Sequence, residues 1–86
     1  MKTFSFSTKF KKNLKKLDSK LIKSFKTRFI LFQENEFAII LNNHSLKGEY
    51  VDCKSINITG DYRLVYKKID NLYILIDIGT HSQLYE

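Results

Sequence analysis

The chain has 86 residues, of which 43% are hydrophobic. It can close one core and little more, since a domain of this size buries only about 60–65% of its unfolded surface. A single cysteine excludes an internal disulfide, and with only two histidines no zinc-ligand spacing exists, so no metal or other cofactor is expected. The net charge of +6 is uneven: residues 1 to 28 carry ten Lys/Arg against the lone acid Asp18, and residues 29 to 86 carry five against eight. A block of this kind suits a polyanionic partner, although a solvated lysine-rich helix face is the commoner origin of such a pattern.

In chain order, Phe4 and Phe6 alternate with Thr3 and Ser5, the pattern of a short strand with one buried face. The opening MKTFSFSTKFKK lacks the apolar stretch and cleavage site of a secretory signal, and no apolar run reaches the roughly 20 residues of a membrane span. A soluble, cytoplasmic protein is expected. Ser7 can cap a helix in which Phe10, Leu14 and Leu17 recur at helical spacing and leave Lys11, Lys12, Lys15 and Lys16 outside the apolar stripe. Asp18 and Ser19 supply a second cap, after which Leu21, Ile22, Phe25, Phe29 and Phe32 keep the 3.6 period to about Gln33. Two antiparallel helices are therefore expected, covering a sheet in preference to lying on an anionic membrane.

Between Glu34 and Lys47 the period is lost, and the segment FAIIL fits a last helical turn, a short strand or a buried loop. From Tyr50 onward strand residues dominate. Ile56 and Ile58 alternate with Ser55 and Asn57, then Thr59, Gly60 and Asp61 turn the chain into YRLVY, and Asp70 and Asn71 turn it again into LYILIDI. Three strands in hairpin order give an antiparallel sheet. Cys53 reads as a small apolar filler. In YRLVYK, Tyr62, Leu64 and Tyr66 form the better core face, which sends Arg63, Val65 and Lys67 to the other, concave side.

The segments LNNHSLKG, SINITGDYRLVY and IGTHSQLY, in this order and in so short a chain, resemble the RelE/YafQ family of bacterial type II toxins, most closely its YafQ-like branch. The resemblance implies an α+β, RelE/ParE-like fold in one domain over residues 1–86, with an N-terminal strand and two-helix hairpin packed on a small antiparallel sheet of about four strands. It implies a ribosome-dependent endoribonuclease that cuts mRNA in the ribosomal A site by attack of a ribose 2′-OH on the adjacent phosphate. That reaction needs a base, an anion stabiliser and an acid. By resemblance His81, in GTH, is the general acid. Arg63 binds the scissile phosphate, His44 is the base or positions substrate, Asp61 is the active-site aspartate, and Tyr85 stacks on or orients mRNA. Lys11, Lys12, Lys15, Lys16, Lys47 and Lys54 are the expected RNA-binding cations, although strand parity places Lys54 with Ile56 and Ile58. The family also implies a cognate antitoxin as partner, besides the ribosome and mRNA.

The bare residue types favour blander roles. Arg63 can be solvated, His44 can be a loop histidine bonded to backbone, Asp61 is good turn chemistry, and Tyr85 can pack a sheet edge. Two departures from the family stand out: Asn57 occupies a position where YafQ-like toxins have a second strand histidine, and proline is absent throughout. A non-enzymatic ParE-like toxin that inhibits DNA gyrase, and a catalytically weakened RNA-binding relic, are the alternatives these residues leave open.

Overall fold

The computed structural model describes residues 1–85. Strand β1 (Thr3–Phe6) leads into helices α1 (Thr8–Lys15) and α2 (Ser19–Glu34), and β2 (His44–Ser45), β3 (Lys54–Asn57), β4 (Tyr62–Ile69) and β5 (Leu72–Thr80) follow. A closing helix, α3, spans His81–Tyr85. Both expected helix caps form. The Ser7 hydroxyl accepts from the Phe10 amide at 3.0 Å and donates to the Ile76 carbonyl at 2.6 Å, so the same side chain starts α1 and ties it to the sheet. The Asp18 carboxylate accepts from the Leu21 amide at 2.8 Å.

The sheet runs β1-β5-β4-β3-β2 and has five strands. It is mixed: β3, β4 and β5 form the expected antiparallel run, while β1 pairs parallel to β5 through Thr3↔Leu72 to Phe6↔Leu75. The parallel pairing follows from the helix hairpin, which returns the chain over one face and lets the long β5 lie between β1 and β4. Among the described residues no helix is long and apolar enough to cross a membrane.

Two cores lie on opposite faces of this sheet. The larger joins Phe10, Phe25 and Phe32 of the helices to Ile56, Leu64, Tyr66, Tyr73, Leu75 and Ile78. Its aromatic rings interlock, with Phe32 edge-on to both Tyr66 (4.8 Å between centroids) and Tyr73 (5.6 Å). The smaller gathers Cys53, Val65 and Leu84 with Leu46, Tyr50, Ile76 and Tyr85. Burial raises the Cys53 thiol above its usual range, consistent with its expected role as filler.

The ambiguous segment after α2 becomes a single 3₁₀ turn, Ile39–Leu41. Only Leu41 is buried; Phe37, Ile39 and Ile40 project into solvent. The segment is pinned from behind by Glu36, whose buried carboxylate accepts from Tyr73 Oη (2.5 Å), Lys68 Nζ (3.0 Å) and Tyr66 Oη (3.3 Å). The Asn43 amide donates to the Glu36 carbonyl at 2.9 Å and to Tyr66 Oη at 2.6 Å, closing the knot. Burial pushes the Glu36 carboxyl up, but the hydrogen bonds from Tyr73, Lys68 and Tyr66 and the Lys68 charge together hold it below the usual glutamate range.

A carboxylate whose folded-state affinity for protons is lowered stabilises the fold above the usual glutamate range and loses that contribution as pH falls through its folded-state value. Glu36→Gln is therefore expected to cost roughly 1–3 kcal/mol at pH 7, with the difference from the parent shrinking by pH 3. Thermal denaturation followed by circular dichroism at the two pH values checks this.

Candidate active site

The sheet register assembles one face of the site. Directly paired residues of an antiparallel ladder share a face, so the pairs His44↔Ser55 and Ser55↔Val65 form one row across β2, β3 and β4. Asn57↔Arg63 and Arg63↔Gly79 form the next row across β3, β4 and β5. Both rows lie on the face away from α1 and α2. Lys54, Ile56 and Leu64 take the opposite face, as parity required, and the Lys54 ammonium sits over the Phe37 ring at 5.4 Å.

Helix α3 completes the site by folding back over Gly79. A Cβ at Gly79 would meet Gln83 Oε1 at 2.9 Å and Gln83 Cβ at 3.4 Å, so the close approach depends on the missing side chain. The turn is held reciprocally: Gln83 Oε1 accepts from the Thr80 amide at 2.9 Å, and Thr80 Oγ1 accepts from the Gln83 amide at 3.2 Å. Threonine followed three residues later by glutamine is a capping-box signature. It stands in the sequence as THSQ preceded by glycine, and it is the signal that announces α3, an element absent from the expected architecture of two helices.

The result is a cavity of about 330 Å³ lined by His44, Lys47, Arg63, His81 and Tyr85, together with Asn42 and Leu46. Four of the five residues expected to carry chemistry converge there, with Lys47. Asp61 does not: the β4 strand begins at Tyr62, and Asp61 stands exposed at the hairpin tip, outside the cavity lining. Lys11, Lys12 and Lys15 are exposed on α1 away from this cavity, and Lys16 lines a different one.

His44 Nδ1 lies 2.8 Å from the Asn42 carbonyl, and Asn42 itself takes the left-handed conformation at φ 47°. A carbonyl only accepts, so Nδ1 carries a proton, and whenever the ring is neutral its lone pair lies on Nε2. Arg63 is half-buried. Its Nη1 donates to the hairpin carbonyls of Gly60 (3.0 Å), Thr59 (3.3 Å) and Tyr62 (3.4 Å), which fixes the guanidinium by one nitrogen. Asn57, beside Arg63, has its Oδ1 buried without a hydrogen-bond partner among the described residues.

Tyr85 packs not at a sheet edge but against the second core, to which α3 contributes Leu84. Its ring stands edge-on to His81 (4.8 Å between centroids) and to Tyr50 (6.1 Å), which orients the imidazole one helical turn away. Tyr50 is a contact that sequence reasoning did not identify, since it closes a single 3₁₀ turn, Gly48–Tyr50, too short to show a period.

Residues 2–86 match the sequence model of the family described as bacterial toxin of type II toxin–antitoxin system, YafQ. No curated protein sequence matches the chain. Among solved structures, YafQ from E. coli strain BL21(DE3) is similar at a TM-score of 0.86 with 20% identity over all of both chains. The YafQ of the E. coli DinJ–YafQ complex is similar at 0.81 with 21% identity over the same extent. A metal-bound toxin from Helicobacter pylori is 33% identical over 99% of this chain and all of its own, at a TM-score of 0.74.

The seat of α3 can be tested without any assay of activity. Gly79→Val is expected to cost about 1–3 kcal/mol by overpacking and to lift α3, and Gln83→Ala to cost about 0.5–1 kcal/mol through the lost cap. In NMR spectra the His81 ring protons should lose the ring-current shift imposed by Tyr85 in Gly79→Val, while the resonances of the larger core hold their positions.

Proposed function

The chain belongs to the YafQ family of toxins of bacterial type II toxin–antitoxin systems, and from that premise we propose that it is an endoribonuclease acting on mRNA in the ribosomal A site. The observation that carries this reading is the convergence of two imidazoles, a guanidinium and an ammonium on one open cavity. Those groups are what transfer at a phosphodiester requires. The unprotonated His44 Nε2 takes the proton of the ribose 2′-OH as the O2′–P bond forms. Arg63, through the guanidinium nitrogens not bonded to the hairpin carbonyls, and Lys47 stabilise the charge that accumulates on the phosphate oxygens. His81, in its protonated form, hands a proton to the O5′ leaving group as the P–O5′ bond breaks. The products are a 2′,3′-cyclic phosphate and a 5′-hydroxyl.

Tyr85 acts by orienting His81 and by offering a ring edge to the RNA. Asn57 exchanges no proton at ordinary pH, so the acid and base duties rest on His81 and His44. A site this sparse suits a reaction in which the ribosome fixes the mRNA geometry, because orientation alone supplies several kcal/mol of the barrier. The exposed Lys11, Lys12 and Lys15 of α1 lie apart from the chemistry and suit docking on ribosomal RNA. A cognate antitoxin is the natural protein partner; its existence is supported by the similar E. coli YafQ having been solved together with DinJ.

Primer extension on mRNA in a purified translation reaction tests the reading. New 5′ ends within translated codons are expected. His81→Ala should lower the cleavage rate about 10²–10⁴-fold and Arg63→Ala about 10²–10³-fold, whereas Asp61→Asn should stay within about twofold, as for a surface substitution. Unchanged cleavage in His81→Ala would remove the acid assignment. Growth arrest with DNA damage and intact mRNA would replace the nuclease by a gyrase-directed, ParE-type toxin.

A further inference from the structure

We propose that the cavity on the other side of α3 is a nucleotide subsite that takes a base bearing an exocyclic amino group, adjoining the phosphate site. The inference deepens the nuclease reading and rests on it for the placement of that neighbouring phosphate. The two cavities are separated only by α3 and the first residues of β4. Helix α3 gives His81 and Tyr85 to one and Gln83 and Leu84 to the other, while Arg63 faces the first and its neighbour Tyr62 lines the second. A strand of RNA crossing α3 would meet both in succession.

The second cavity also measures about 330 Å³, within the range of small-ligand sites. Its wall is apolar where Leu17, Ile78 and Leu84 meet, and the half-buried Tyr62 adds an aromatic ring suited to stacking on a base. On its lining stands Lys16, which makes no ion pair with any described residue and suits a phosphate.

Asp77 supplies the discrimination. The register of β4 and β5 shifts between Val65 and Tyr66, whose partners are Asp77 and Leu75, so Ile76 is the extra residue of a bulge. Beyond it Asp77 lies against α1, only 3% exposed. Its Oδ1 accepts from Asn13 Nδ2 (2.6 Å) and from the Ile78 amide (2.8 Å), but Oδ2 has only the Lys9 ammonium at 3.4 Å, on a side chain that is itself 60% exposed. A buried carboxylate oxygen held by one long, solvated contact has acceptor capacity left over. The nucleobase groups that would fill it best are the amino groups of adenine, cytosine and guanine; uracil offers only its ring N3–H, flanked on both sides by carbonyl oxygens that a carboxylate repels.

Titration of the ¹⁵N-labelled protein with AMP, CMP, GMP and UMP, followed by NMR, tests the proposal without requiring cleavage. Shifts are expected at the Lys16, Tyr62 and Gln83 amides, with the three amino-bearing nucleotides bound about tenfold more tightly than UMP. Asp77→Asn, which puts an amide donor where an acceptor stood, should turn the preference toward UMP. Lys16→Gln, on the surface of α1, should weaken all four alike and reduce the salt dependence. Equal binding of UMP by the parent protein, or shifts confined to His44, Lys47 and His81, would overturn the subsite even if Asp77→Asn failed to fold. Selective binding in a protein that makes no cuts in translated mRNA would instead overturn the nuclease reading and leave the subsite standing.

Discussion

The site exists because the third residue of one cross-strand row has no side chain. Asn57, Arg63 and Gly79 stand side by side on the same face of three strands, and the gap at Gly79 is what lets five residues fold back onto the sheet as α3. Without that return, β5 would run on past Gly79 and carry His81 away from Arg63. With it, an imidazole from the end of the chain and a guanidinium from the start of β4 line one cavity with His44 from the edge strand. The capping box of Thr80 and Gln83 fixes the direction of the return, and the Tyr85 and Tyr50 rings fix the orientation of His81 within it. Each contact is modest by itself. Their effect is cumulative because all of them restrain the same short helix.

The sheet therefore keeps its two faces for different purposes. Toward α1 and α2 it carries a dense aromatic core, in which Phe10, Phe32, Leu64, Tyr66 and Leu75 are almost wholly withdrawn from water. The full burial of side chains this large supplies most of the favourable energy of a small domain. The other face holds a much smaller apolar cluster beside a rim of ionisable groups. Charged groups tolerate that face because it stays open to solvent, whereas the carboxylates buried on the helix side need dedicated partners: Glu36 has two tyrosines and a lysine, and Asp77 has Asn13, the Ile78 amide and Lys9. Stability and chemistry are thus separable to a first approximation: loss of cationic side chains from the rim leaves the larger core intact.

Sequence periodicity made the helix hairpin and the hairpin strands legible, because both depend on local signals: caps at Ser7 and Asp18, a 3.6 period through Phe32, and a two-residue alternation through Leu64 and Tyr66. Parity alone also separated Arg63 from Lys54, which emerge on opposite faces. Three features escaped. The parallel pairing of β1 depends on where the helices return the chain, which no local pattern records. The bulge at Ile76 changes the parity of β5, so that Leu75 and Ile78, three residues apart, both reach the larger core, which counting alternate residues does not allow. The outward Phe37, Ile39 and Ile40 look like core in any hydropathy reading, and only the long-range knot of Glu36 with Tyr66, Tyr73 and Lys68 forces them into solvent. In each case the decisive partner lies 30 or more residues away or on another strand.

The substitution of chemistry at Asn57 is the point where fold and function pull apart. An asparagine paired directly with Arg63, one row along from His44, keeps a polar acceptor beside the guanidinium but contributes neither a proton nor a charge. In the proposed reaction two imidazoles divide the work, and their positions differ in kind. His44 is fixed by a backbone carbonyl on an edge strand, and His81 is held by an aromatic edge on a helix of little more than one turn. The first is rigid and tautomerically defined, as a base must be before the substrate arrives. The second sits on an element that can adjust as a leaving group moves away, and its restraint comes from packing, which yields more readily than a hydrogen bond. A site with one rigid and one compliant proton carrier would gain most from a substrate whose backbone is already held in place, which is the physical reason to look for the proposed activity on the ribosome and not on free RNA.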